Sequence, residues 1–246
     1  MKEKIRSEVW RILLVLGLVV ITQHYLTPLA HGQVTGCSDQ ALTLAEQQLT
    51  DTIAYLNTSQ HARSTDPNNS NKWKWVGASD WTSGFFSGWQ WYIYEKTLNN
   101  SWMTRAKAQT ANLQSQATNA SNHDIGFKIL TSYGNGYRIT RDPSYMSVIQ
   151  TAAQTLSTLY RPAVGVIESW PSYDSKVTVI MDNMMNLELL FLAARNGGDP
   201  NWYNMAVSHA LKTMQNHVRA DGGTYHVVDY NNDGTVYRKF TVQGAG

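Results

Sequence analysis

A single cysteine, Cys37, is all that this chain of 246 residues contains, so no internal disulfide framework organises it. Charge is sparse as well: 20 Lys and Arg stand against 18 Asp and Glu, for a net charge of +2. No basic run is interleaved with aromatics, which argues against nucleic acid as a partner. His209 and His217 lie eight apart, without the metal-ligand spacing of HExxH. Asp229, Asn231, Asp233 and Gly234 imitate the start of a calcium loop. Its twelfth position is Phe240 where Glu is needed, so the segment reads as a turn. With no phosphate loop or nucleophile elbow either, no cofactor and no metal is expected. Past residue 37 no Pro/Gly/Ser-rich linker interrupts the chain, which reads as one domain.

Long apolar runs are also missing. The run at residues 12–21 is too short to span a bilayer comfortably. Behind Lys2, Lys4, Arg6 and Arg11 it reads as an export signal, with Ala30-His31-Gly32 offering small residues for cleavage before Gln33. Val34-Thr35-Gly36-Cys37 looks like a bacterial lipoprotein box, although residues 22–33 separate it from the apolar run. An uncleaved signal anchor is the alternative for that run. Residues 1–37 are therefore assigned to a signal peptide and leader, and the product to a secreted or periplasmic location. Sequons at Asn57, Asn68, Asn99 and Asn119 leave the class of source organism open.

What is abundant is tryptophan and tyrosine, with 9 and 13 residues. Such a composition suits sugar stacking and equally suits a large aromatic core. Residues 179–195, VIMDNMMNLELLFLAAR, leave a helix apolar on nearly every side, as expected of an inner element buried all round. Two further apolar stretches, entered near Ser83 and at His123-Asp124, read the same way, the second ending at Gly134 and Gly136. Between them lie more polar helices: 38–57 (Leu42, Leu44, Leu49, Ile53 and Leu56 inward), 101–114 (Trp102 and Leu113 inward), 145–160 (Met146, Ile149, Ala153 and Leu156 inward) and 201–219. Residues 61–71 read as a polar loop and 223–240 as a hairpin. Polar outer helices alternating with apolar inner ones, about 40 to 60 residues per pair, describe two concentric rings.

Three residues stand where inner elements begin: Asp124, Asp182 and Trp170. Asp182 at a helix start caps orphan backbone donors or does chemistry, and composition leaves both open. Two carboxylates facing one cavity divide acid and base work. A helix N-terminus lowers a carboxylate pKa, whereas burial and a second carboxylate raise it. His226, alone in its strand, reads more readily as a structural or surface histidine.

GFFSGWQWYIYE, HDIGFKILTSYGNGYRIT, VIMDNMMNLELLFLAA, SHALKTMQNHVRADGGTYHVVDYNNDGTV and TVQG together resemble the unsaturated glucuronyl hydrolases, glycoside hydrolase family 88, in family order from about Trp73 onward. The resemblance implies an (α/α)6 barrel of the six-hairpin type. It implies removal of a 4,5-unsaturated uronic acid from the non-reducing end of oligosaccharides left by polysaccharide lyases, by hydration of a vinyl ether. A non-catalytic sugar-binding remnant and an ordinary inverting glycosidase are the alternatives. Carried over, Asp182 matches the general acid/base and Asp124 the second aspartate. His226 and Gln243 match polar contacts to the sugar, with His123 and Asn183 beside the two aspartates, and Trp170 and Trp81 match aromatic walls. Family members continue past the QG segment into an Arg- and Trp-containing helix. On this resemblance residues 38–246 are a partial domain of about seven helices plus a hairpin. The polypeptide by itself is then expected to be inactive and to expose apolar surface.

Overall fold

The computed structural model describes residues 34–54, 59–66, 69–171 and 175–242. The export signal, Leu56, Asn57, Asn68 and Gln243 lie outside them, as does the side chain of Cys37. No helix among the described residues is long and apolar enough to cross a membrane. The chain divides into two units, Met1–Gln48 and Leu49–Gly246. Helix α1 (Val34–Ile53) starts in the first and ends in the second. Leu44, expected to face inward, is exposed, whereas Leu49 is buried.

Three helical hairpins follow one another in the second unit. The first is α2 (Ser83–Thr97) with α3 (Asn100–Ala111). The next is α4 (Ile125–Ile129), which runs through a π-helical turn, Leu130–Gly134, into α5 (Asn135–Thr140) and is backed by α6 (Pro143–Ser157). Last come α7 (Asn183–Arg195) and α8 (Asn201–Asn216). The first member of each pair is the inner one. Glycine lets these inner helices nest: a Cβ on Gly84 would lie 2.4 Å from the Phe127 and Lys128 carbonyl oxygens. One on Gly126 would lie 2.5 Å from Asn186 Oδ1. That same oxygen accepts the Phe127 N–H at 2.8 Å, which ties α4 to α7.

The main core lies among α4, α6 and α7, where Ile129, Ile149, Leu156, Leu189, Leu190 and Ala193 are buried together. The expected inward positions of the outer helices, Trp102, Met146, Ile149, Ala153 and Leu156, are all buried. Gly134 and Gly136 do not end the inner helix. A Cβ on Gly136 would meet the Tyr145 ring at 2.9 Å, so this glycine serves packing, and the helix continues to Thr140. Nor is α7 buried all round: Met185 is 57% exposed, on the side that faces a cleft.

Strands are more numerous than the sequence suggests. Residues 61–71 are no loop: β1 (His61–Asp66) pairs antiparallel with β2 (Asn69–Val76). Ser64 and Thr65 of β1 face solvent, so the pair is held by backbone bonds and carries little of the apolar alternation that marks a half-buried strand. A short hairpin of β3 (Tyr160–Arg161) and β4 (Val166–Ile167) follows α6. Val179 and Ile180, expected to begin an inner helix, belong to β5 (Val177–Ile180) instead. It pairs with β6 (Val227–Tyr230), which pairs in turn with β7 (Val236–Phe240), so the expected hairpin gains a third strand.

Candidate active site

The starts of α2, α4 and α7 open on one cleft of about 1170 Å³, with Trp81, Asp124, Trp170, Asp182 and His226 in its walls. Each is placed by local structure. Asn122 Oδ1 accepts the Asp124 N–H at 3.0 Å and shapes the turn into α4. The His123 N–H donates to the Ser169 carbonyl at 2.8 Å, while Ser169 is bonded to β5 through Thr178 O and the Ile180 N–H, both at 2.9 Å. The Trp170 loop is thereby held between α4 and β5, and its indole meets the His123 ring edge-on, centroids 6.3 Å apart. Sheet register does the rest. Ile180 pairs with Val227, and one step on, the Met181 N–H donates to His226 O at 2.9 Å. Asp182 and His226 are neighbours for that reason.

The donor atoms of His123, Asp124 and Asp182 all lie within 4.8 Å of one another, with His123 Nε2 3.5 Å from Asp124 Oδ1. Their sequence spacing does not announce this grouping. Three donors so close have the geometry to share a cation, but burial pushes all three toward their neutral forms, and we read the cluster as one that shares protons. Burial raises the Asp182 pKa, and Asp124 adds to the rise, against the nearby His123 and His226. Burial lowers the His123 pKa, with Asp182 and Asn183 pulling the other way. Asp124 is raised by its own burial, with the Lys128 ammonium pulling the other way.

The capping reading of Asp182 fails. It occupies the N-cap position of α7 with no side-chain capping bond, and Asp182 Oδ1 is buried without a hydrogen-bond partner in the protein. Asn183 is fully buried and does not line the cleft, its Nδ2 donating to Ile167 O at 2.8 Å. One helical step turns it away from Asp182 and into the packing against β4. His123 lines the cleft but is almost wholly buried in its wall. Trp81 and Trp170 present open faces, and Trp81 is braced by Phe85, Phe127 and the Arg63 guanidinium.

Two features escaped the sequence reading. Lys128 is fully buried one turn after Asp124; a lysine inside the apolar run HDIGFKIL was its only signal. Asp229, taken for part of a turn, is buried in β6, where it accepts bonds from Thr178 Oγ1 (2.7 Å) and Arg238 Nε (2.5 Å) at the cleft wall. Cross-strand neighbours of this kind have no sequence signature.

No family model matches the chain. It is 41% identical over 176 residues to an unsaturated glucuronyl hydrolase of Formosa agariphila, covering 69% of this chain and 43% of that one. A solved unsaturated glucuronyl hydrolase specific for heparin superposes with a TM-score of 0.79 at 35% identity, over 84% of this chain and 55% of the other. Another solved structure, a UGL variant with dGlcA-Glc-Rha-Glc, gives 0.74 at 29% identity, over 83% and 54%. The chain spans under half the length of the curated relatives it matches. The inner–outer hairpins described above are those of the six-hairpin glycosidase fold.

Proposed function

We propose, from the premise that the chain belongs to the unsaturated glucuronyl hydrolase family, that the enzyme removes a 4,5-unsaturated uronic acid from the non-reducing end of oligosaccharides made by polysaccharide lyases. The observation that carries this reading is the pair of raised, converging carboxylates, Asp124 and Asp182, in a cleft with open indole faces. Protonated Asp182 gives its proton to C4 of the vinyl ether. The π electrons form the new C–H bond, and positive charge develops at C5 and the ring oxygen, where ionised Asp124 stabilises it. Water adds at C5 and loses a proton to the Asp182 carboxylate. The hemiketal so formed opens and releases the aglycone. His226 holds the sugar by polar contact, and Trp81 and Trp170 cover its apolar faces.

The separation speaks against the inverting alternative. Inverting pairs stand about 6.5–9.5 Å apart to admit a water between them, whereas these donor atoms are within 4.8 Å. The basic and then apolar start of the chain supports export to the space where lyase products arise.

The test follows the ultraviolet absorbance of the conjugated alkene in unsaturated disaccharides. It uses the protein extended over the length that its relatives span. Absorbance is expected to fall with time. Persistent absorbance with cleavage of saturated glycosides makes it an ordinary glycosidase, and saturable calorimetric heat without turnover makes it a sugar-binding protein.

A further inference from the structure

Lys128 has no part in the chemistry above, yet its burial is hard to account for as packing. Its side chain is fully buried, and Nζ donates to Gln116 Oε1 at 3.3 Å, an oxygen that also accepts from Asn119 Nδ2 at 3.0 Å. Among the described residues no carboxylate reaches it at ion-pair distance. A buried ammonium held only by an amide oxygen is costly, and a methionine would fill the same space without that cost. Two carboxylates act on it from further off, Asp124 from the start of α4 and Asp80 from the turn before α2. Asp80 is itself held ionised: Thr82 donates to it through N–H and Oγ1, and Arg63 Nη1 through a 2.9 Å bond. The other charged or titratable group near Lys128 is His123, whose pKa burial lowers. Where α2 and α7 press on α4 they place Gly84 and Asn186, neither of them charged.

We infer that Lys128 is a positioning residue: its ammonium, within electrostatic range of Asp80 and Asp124, keeps Asp124 ionised and so leaves the single proton of the pair on Asp182. Arg63, Asp80, Lys128 and Asp124 then form a series of alternating sign that runs from the surface to the cleft. The role assigned to the proton rests on the hydration reading; the charge coupling does not.

The coupling is measured without turnover, on the intact chain, by following the Asp124 carboxyl carbon through a pH titration by NMR. In Lys128→Met the midpoint is expected to rise by about one pH unit, the size of effect that a nearby opposite charge exerts. In Asp80→Asn, which retains the hydrogen bonds of the turn, it is expected to fall. A packing role leaves the Lys128→Met midpoint in place, and a general loosening moves both midpoints the same way; a Lys128→Met midpoint that stays put, or shifts of the same sign, overturn the inference. If Lys128→Met does not fold, Lys128→Gln, which keeps a polar group beside Gln116 Oε1, takes its place in the titration. Opposite shifts, together with alkene absorbance left intact by the extended protein, would keep this inference and sink the hydration reading.

Discussion

The outer helices α3 and α6 each have an N-cap side chain that accepts a backbone N–H: Asn99 accepts from Ser101 at 3.0 Å and Asp142 from Ser144 at 2.9 Å. The inner helices α2, α4 and α7 have no such bond at Thr82, Asp124 or Asp182. The same residue type thus does opposite work at the two kinds of helix start. Hydrogen bonds from Ser144 hold exposed Asp142 below the usual carboxylate range, while burial holds Asp182 above it. An acid that capped its helix would be pinned in the ionised state. The inner starts forgo that stabilisation, and at α4 and α7 burial instead raises the pKa of a carboxyl at the cleft.

Asp182→Asn is the variant with the largest expected effect. Turnover by the extended protein should fall by a factor of about 10² to 10⁴, the range for a lost general acid, with circular dichroism and melting temperature unchanged or slightly improved. A near-normal rate would erase the distinction between the two kinds of helix start. Gly126→Ala probes what brings the inner starts together. Its Cβ would collide with Asn186 Oδ1 and part α4 from α7, at an expected cost of about 1–3 kcal/mol in denaturant unfolding. Unchanged stability would show that the helices have slack. At an outer start, Asn99→Ala should cost about 1 kcal/mol with no change in turnover per folded molecule.

The smallest effect separates the two regions by sign. Asp124 and Asp182 have folded-state values above their unfolded ones. Between the two values the folded state binds more protons, so the penalty these groups place on folding builds as pH rises from the unfolded value to the folded one, is complete above the folded value and is absent below the unfolded one. Asp142 has a lowered folded value, so its contribution is present above the unfolded value and is lost as pH falls through the folded one. Melting curves of Asp182→Asn should therefore lie above wild type at pH 7, and those of Asp142→Asn below it. Both should merge with wild type toward pH 3. Displacements of one sign would show that the inner carboxylates are ordinary caps.

Much of this was legible because it is periodic. Met146, Ile149, Ala153 and Leu156 recur at helical spacing, and all four are buried. Inner and outer helices told apart by how much of their circumference is apolar yielded the hairpins in the right order. Asp124 and Asp182 stood out as charges at the mouths of apolar helices, and the structure brings both to one cleft. Errors arose where a residue's meaning depends on a partner distant in the chain. The polar segment at 61–71 forms strands because β2 supplies backbone bonds. Met185, apolar like its neighbours, stays exposed because its side of α7 faces the cleft.

The sequence by itself determined the helices, their inner or outer character and the two aspartates, since side-chain periodicity and local polarity act over a few residues along the chain. Tertiary structure alone decided which groups share a proton. His226 reaches Asp182 through the β5–β6 register, from 44 positions further along the chain, and Asp124 reaches it through the nesting of α4 on α7 at Gly126. Whether Asp182 caps its helix was decided the same way, since its side chain makes no capping bond. A pKa follows from burial and from charges a few ångströms off in space, and spacing along the chain carries no information about either.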